Sequence, residues 1–427
     1  MSETKNEQKS KHSQMLDILD EVCTAGRKLG IVFQTIEDTE LDGKYVKVNA
    51  KRMINFGSCS YLGLEMDQRL IAGTIDAVTR FGTTFSSSRA YLSSTPYGEL
   101  ESLLEKIFDN PVVVTNNTTS GHLSSIPILI GDNDAVIMDV NVHSSVQQAV
   151  SILKERNVSI EVIRHNRLDL LEDRIKVLKL SHEKIWYMSD GIYSMFGDFA
   201  PVKELGSLMD TYEQLHLYID DAHGMSWAGE NGSGFVRSQM LKHDRMYLVT
   251  SLGKGFGVNG GVLVFPNKQS YRRVREFGRT LIFSIQMAPP VLGGAIASAK
   301  IHLSPEIYAK QNHLQERIKF FNQTAKMYEL PLIKESLSPV MFIGVGKPQV
   351  GYNMVRRLMN AGYYVNLSVF PSVAYSNTGL RIPITLHHTN EDIENLLKVI
   401  ALNLPIAMKE SGQTMKNLLQ YFKLDRS

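Results

Sequence analysis

Cysteine is nearly absent from this chain of 427 residues, which contains only Cys23 and Cys59. Two thiols cannot build a disulfide framework or a cysteine-based zinc cluster, and they suit a reducing cytoplasm. An excess of one charge is also missing: Lys+Arg number 46 and Asp+Glu 44, a net charge of +2, with no block of like charges. Neither a nucleic-acid surface nor a polybasic membrane patch is expected from such a balance. No apolar run nears the roughly 20 residues that span a bilayer. The polar opening MSETKNEQKSKHSQ lacks the apolar stretch of a signal peptide. There is no P-loop and no GxSxG nucleophile elbow. What is there is an ordinary globular composition, 43% hydrophobic, long enough for two or three domains. A cytoplasmic globular protein is expected.

The first dozen residues read as disordered, and residues 13–29 repeat apolar positions at helical spacing. A strand-like stretch at 45–49 follows, so residues 1–57 read as an N-terminal arm. Beyond Pro111 short β-branched runs recur: VVVT (112–115), AVIMDV (135–140), IEVI (160–163), KIWYMS (184–189), LHLYI (215–219), RMYLVTS (245–251) and GVLVF (261–265). Continuous apolar runs separated by helical segments indicate strands buried on both faces of a parallel sheet. The expectation is an α/β fold with a mostly parallel, seven-stranded, doubly wound sheet over 58–295. The gap 253–260 is too short for a crossover helix, so GVLVF should pair antiparallel or sit at an edge. After Pro289-Pro290 a long helical stretch and two short strands (340–345, 380–384) suggest a smaller α+β domain, 296–427.

Ligands of open α/β sheets bind beyond the carboxyl ends of the strands. Following the strands in turn are Thr118 and Thr119, His143, Asp190 and Ser194, Asp220 and His223, and Lys254 among glycines. Five strand ends carrying hydroxyls, histidine, aspartate and lysine point to one polar site. Residues 255–260 match GxGxxG, but they open into a strand instead of a helix, which argues against a dinucleotide site. A lysine in a crowded site at the end of a buried strand is disfavoured unless paired, deprotonated or covalently linked. The functional reading of Lys254 is a Schiff-base lysine. Pyridoxal phosphate also needs a carboxylate on its ring nitrogen, and Asp220 is the natural choice. At ~4 Å and an effective dielectric of ~20 such a pair is worth about 4 kcal/mol, roughly three pKa units.

LYIDDAHG (217–224), TSLGKGFGVNGG (250–261) and SDGIYSMFGDFAPV (189–202) resemble the α-oxoamine synthases, fold-type I pyridoxal-phosphate enzymes. INFGSCSYLGL (54–64) is most similar to the serine palmitoyltransferase branch, and RAYLSSTPYGELE (89–101) to the branch that makes α-aminoketone autoinducers. The correspondence runs from about 45 to 400, in family order. It implies an acyltransferase joining an acyl thioester, from acyl-CoA or an acyl carrier protein, to a small α-amino acid with decarboxylation, giving an α-aminoketone.

By position, the resemblance gives Lys254 the cofactor linkage and the Cα proton. Asp220 would meet the ring nitrogen, His223 the phenolic oxygen, and His143 would stack on the ring. Asp190 and Ser194 would lie beside the cofactor, and Ser251 would hold the phosphate with the backbone at Thr118 and Thr119. Ser284 would reach the phosphate from the neighbouring subunit of a homodimer, and Arg381 would grip the substrate carboxylate near Cys59. No metal is implied. Cys59 replaces a frequent asparagine, Tyr97 a histidine, Phe196 an acidic residue, Thr118-Thr119 a Gly-aromatic pair, and 81–87 a Gly/Ser-rich loop, all expected on the substrate side or periphery.

Each residue also has a plainer reading. His143 could be a core histidine, Asp220, Asp221 and His223 metal ligands, Arg381 a structural ion pair, and Ser284 a helix cap. His387 and His388 read as polar residues at a helix start. An aminotransferase, a C–C lyase or a catalytically silent partner subunit are the alternative functions.

Overall fold

In the computed structural model, residues 10–424 are described, and among them twelve strands form two sheets. Most of the segment expected to be disordered lies outside that range; the first helix starts already at Lys11 and ends at Lys28. The strands are β1 (Tyr45–Val48), β2 (Lys51–Phe56), β3 (Val112–Thr115), β4 (Ala135–Asp139), β5 (Ser159–Ile163) and β6 (Ile185–Asp190), then β7 (Leu215–Asp220), β8 (Met246–Ser251), β9 (Gly261–Val264), β10 (Val340–Gly346), β11 (Tyr363–Ser368) and β12 (Thr378–Pro383).

The large sheet has the order β3-β9-β8-β7-β6-β4-β5. The pairs β4–β5, β4–β6, β6–β7 and β7–β8 are parallel. β9 runs antiparallel to both β8 and β3, so GVLVF is antiparallel as expected but internal and fully buried. With no helix between β8 and β9, the chain turns back within the plane of the sheet. Side chains alternate across each strand. Val112, Val114, Tyr187, Leu217 and Ile219 pack under the helices Thr95–Phe108, Val202–Thr211 and Pro289–His302. Val113, Trp186, Met188, Tyr218 and Val249 face the opposite layer with Thr118–Leu129 and Ser144–Ser151.

The five-stranded sheet corrects the reading of 1–57 as an arm. Its order is β1-β2-β11-β12-β10. The N-terminal stretch makes two strands, turned at Asn49 and Ala50 with φ of 51° and 60°, and β2 adds in parallel to β11, with Ile54 opposite Tyr363. Met53 and Phe56 share one core with Leu380, Ile393 and Leu396. The division at 295/296 is corrected as well. Leu292, Ala295 and Ala299 belong to the large sheet's core, whereas Ile307, Leu314 and Phe321 of Glu306–Met327 belong to the small one's. The chain changes cores at the end of Pro289–His302, where Ala299 packs in the large core and Ile301 in the small one. Among the described residues no helix is long and apolar enough to cross a membrane.

Two local devices hold the site's surroundings. Helix Gln68–Phe81 meets Pro289–His302 backbone to backbone, because a Cβ on Gly293 would stand 2.1 Å from the Gly73 carbonyl oxygen. Beyond β6, the loop 191–199 is clamped by His165, whose Nδ1 lies 3.0 Å from Asp139 Oδ1 and whose Nε2 lies 2.6 Å from Asp198 Oδ2. Burial alone would lower the pKa of His165, but its bonds to the two carboxylates push it up to about 9. The Gly197 carbonyl accepts bonds from Ser336 and Ser338 (2.6 and 2.8 Å), tying this loop to the segment before β10.

Gly293→Val should force these helices apart and cost about 1–3 kcal/mol, read by urea denaturation; an unchanged midpoint contradicts the close packing. For the clamp, the folded pKa lies above the ordinary 6.5, so its stabilisation is complete below that pH and is lost as pH rises through about 9. The stability gap between wild type and His165→Gln should be on the order of 3 kcal/mol at pH 6 and should narrow steadily up to pH 9. A gap that is flat with pH refutes the charged clamp.

Candidate active site

β6 and β7 end side by side, with Asp190 opposite Asp220 in the register. Both carboxyls are buried, and two adjacent negative charges in such a place cannot both be favourable. The pair divides its roles. Burial, and then the charge of Asp220, holds Asp190 well above the usual carboxylate range. Burial would raise Asp220 too, but the His122 hydrogen bond and the charges of His122, His143 and Lys254 bring it below that range. Asp190 Oδ1 accepts the His143 amide at 2.9 Å. His143 opens helix Ser144–Ser151, its Nδ1 2.7 Å from Ser145 Oγ, with its ring exposed to the cleft.

Lys254 stands three residues beyond β8. The turn around it depends on Gly257 (φ 85°), where a Cβ would lie 2.8 Å from the backbone of Leu64 and Glu65. This close approach brings the 59–65 segment to the lysine. Loss of solvent pushes the Lys254 ammonium below its ordinary range, against the opposing pull of Cys59 and Asp220. Burial, with the positive charges of Lys254 and Arg381, also lowers the pKa of His223 well below the usual value. Its Nδ1 lies 2.6 Å from the Tyr61 hydroxyl.

Gly261 lies between Ser251 and Thr115 in the sheet, and a Cβ there would stand 2.7 Å from the Thr118 amide. Thr118 and Thr119 open helix Thr118–Leu129, whose cap Asn117 spends its side chain on the Ser120 amide. The first amides of that helix therefore face the Ser251 end of the site, a seat suited to an anion. The Ser251 hydroxyl accepts the Gly253 amide at 3.0 Å and keeps its own proton to donate.

On the opposite side Arg381, in β12, is buried and donates from Nε to the Ser194 carbonyl at 2.6 Å. Its two terminal nitrogens lie 3.7 and 3.6 Å from Cys59 Sγ. Burial would raise the Cys59 thiol, but Arg381 and Lys254 hold it below its usual range. Beside these groups a cleft of about 540 Å3 opens between His143, Gln147, Tyr193, Met195, Phe196 and Pro371.

The structure thus gathers Lys254, Asp220, Asp190, His143, His223, Ser194, Cys59 and Arg381, with Ser251, Thr118 and Thr119 at one end. Ser284 stands apart: it is exposed, its hydroxyl donates to Thr280 O at 2.5 Å, and the cap of the next helix is Ala288, not Ser284. Tyr97, expected on the substrate side or periphery, is buried beneath Arg89, and its hydroxyl accepts the Met287 amide. Asp221 turns away toward the Val236 amide at 2.9 Å, and burial lifts it to about 8, so it does not share a ligand set with Asp220. His388 stacks on Phe56 and bonds Asn55 O, a structural role. Sequence reasoning missed His122, 3.0 Å from Asp220, and Tyr61. The available signal for His122 was its place one helical turn after Thr118, on the same face.

These residues fit pyridoxal phosphate: an amine of lowered basicity on a glycine-lined turn, an ionised carboxylate at the neighbouring strand end, and helix amides with a hydroxyl for the phosphate. A family model described as aminotransferase class I and II matches residues 51–400. The chain is 26% identical over 405 residues to the 8-amino-7-oxononanoate synthase of Alkaliphilus metalliredigens, covering 91% of this chain and 98% of that one. It is 28% identical over 356 residues to the serine palmitoyltransferase of Caulobacter vibrioides, covering 82% and 85%. The fold is that of the Sphingomonas wittichii serine palmitoyltransferase structure, with a TM-score of 0.85 over 95% of this chain and 99% of that one at 22% identity. The chain belongs to the class I and II aminotransferase family and, within it, to the α-oxoamine synthases, acyl-transferring enzymes that depend on pyridoxal phosphate.

Proposed function

We propose that this enzyme condenses a small α-amino acid with an acyl thioester, acyl-CoA foremost, and releases carbon dioxide, a free thiol and an α-aminoketone. The observation that carries the reading is the arginine fork of Arg381 at Cys59, across from the weakly basic Lys254. It offers a carboxylate two parallel donors beside an amine that can move a proton. Pyridoxal phosphate, when bound, supplies an electron sink for negative charge at the amino acid's Cα.

The chain's own residues do the rest. Arg381, held by the Ser194 carbonyl, binds and orients the substrate carboxylate. Lys254 Nζ takes the Cα proton and later returns one. His143, at the mouth of the cleft, hydrogen-bonds the thioester carbonyl as charge develops on it. Neutral His223, fixed by Tyr61, orients the cofactor's phenolic oxygen, and the Ser251–Thr118–Thr119 seat takes the phosphate. In balance, a bond forms between Cα and the acyl carbon, the C–S bond breaks, and the thiolate leaves and takes a proton from solvent, so the proton held on Lys254 remains for Cα. The Cα–carboxylate bond then breaks as carbon dioxide departs, and Cα is reprotonated. Val142, Met195 and Phe196 give the cleft an apolar wall for the acyl chain.

The same reading includes a homodimer. Tyr91, Leu92, Phe283 and Ile285 are 85%, 62%, 82% and 61% exposed on two loops joined by the Gln286 bonds to the Ser87 and Leu92 carbonyls. Asn116, next to the phosphate seat, bonds the Ile285 carbonyl at 2.7 Å. An apolar patch of this kind marks a protein contact, and Ser284 lies in its middle.

Adding pyridoxal phosphate should give a coloured protein that releases thiol only when amino acid and acyl-CoA are both present. Colour without thiol release from any acyl donor overturns the reaction. Lys254→Ala should lower turnover by roughly 1,000-fold, and Arg381→Ala should raise the amino-acid KM by about 10- to 150-fold. Phe283→Asp should convert a dimer to a monomer in light scattering and weaken cofactor retention; a wild-type monomer that holds its cofactor refutes the dimer.

A further inference from the structure

Behind Asp220 the polar groups continue inward as a buried file. Asp220 Oδ2 lies 3.0 Å from His122 Nε2, and His122 Nδ1 lies 2.8 Å from the Tyr218 hydroxyl. That hydroxyl lies 2.8 Å from Ser125 Oγ, which lies 2.8 Å from the Gly121 carbonyl oxygen. His122, Tyr218 and Ser125 are all buried. The other Asp220 oxygen accepts the Ala222 amide at 2.9 Å.

The file ends on a carbonyl, which can only accept, and each contact needs one proton. A neutral imidazole with two hydroxyls supplies three protons for the four contacts. One additional proton shared between Asp220 and His122 completes the file and fixes its direction: Nε2–H to Asp220, Nδ1–H to Tyr218, Tyr218 O–H to Ser125, Ser125 O–H to Gly121. The titratable groups facing this pair are Tyr218 on β7, Asp190 on β6, His143 at the start of Ser144–Ser151 and Lys254.

We propose that His122 is a positioning residue for the cofactor, which, backed by Tyr218 and Ser125, holds the Asp220 carboxylate ionised and aimed while lending the site one positive charge. The inference rests on the reading of Lys254 and Asp220 as a pyridoxal-phosphate site. It adds that helix Thr118–Leu129 sets both ends of the cofactor: its first amides hold the phosphate, and one turn later His122 holds the partner of the ring nitrogen.

The test uses full-length wild type, His122→Asn and the isosteric Tyr218→Phe, each checked for folding by circular dichroism. Two readouts are taken: the pyridoxal phosphate Kd by equilibrium dialysis, and the pH midpoint of the bound cofactor's visible band. Removing a positive charge from the site favours proton retention by the cofactor. His122→Asn should therefore raise the midpoint by about one unit and the Kd roughly tenfold. Tyr218→Phe, which strips the acceptor from Nδ1–H, should shift the midpoint the same way by less. Folded variants that match wild type in Kd and midpoint overturn the role of His122 and leave the cofactor site standing. If His122→Asn does not fold, an unchanged midpoint in Tyr218→Phe is enough to overturn it. Wild type that takes up no pyridoxal phosphate overturns both.

Discussion

Two carboxyl groups end neighbouring strands in the interior, and only one of them can carry a charge. The rest of the site follows from how that conflict is resolved. Parallel pairing of β6 and β7 sets Asp190 against Asp220, and desolvation makes a second charge prohibitive. The imidazole and amine groups lie toward Asp220, whereas Asp190 is left with the His143 amide. The strand order thus sets side by side one carboxyl whose pKa burial and its neighbour's charge push up and one whose pKa the surrounding imidazoles and amine bring down.

The small sheet contributes the other half. Arg381 belongs to β12, but its Nε is bonded to a carbonyl of the large domain's 191–199 loop. That loop is held on one side by the Asp139–His165–Asp198 clamp and on the other by Ser336 and Ser338. The arginine's orientation is therefore set by both cores. A boundary at the end of Pro289–His302, with a separate hydrophobic cluster on each side of it, does not make the two halves independent.

Much of this was legible in the chain. Seven apolar runs became seven strands because a strand buried on both faces must be apolar throughout, with only the edge strand β5 partly exposed, and the short Gly-rich return before GVLVF implied an antiparallel or edge placement. Lys254, Asp220 and His143 stood out because polar groups follow those runs. His122 did not, since its partner lies 98 residues away and its only local signal is its place one helical turn after Thr118. β2 and β11 carry no clear strand signal because Lys51–Phe56 and Tyr363–Ser368 are mostly half-buried or exposed, with buried residues only at every third position, and they find each other only in three dimensions.

The pairing of Lys51–Phe56 with Tyr363–Ser368 has a bearing on biosynthesis. Domains fold largely in the order in which they leave the ribosome, and the large sheet can close once its covering helix Pro289–His302 emerges. The first hairpin cannot. It must wait, edge and apolar face uncovered, until roughly three hundred further residues are translated, and only then does the last-made part of the polypeptide give it a place. The smaller lobe is thus a late join of the two ends of the nascent chain, and ribosomes that stop early release a finished larger lobe trailing an unsheltered strand pair.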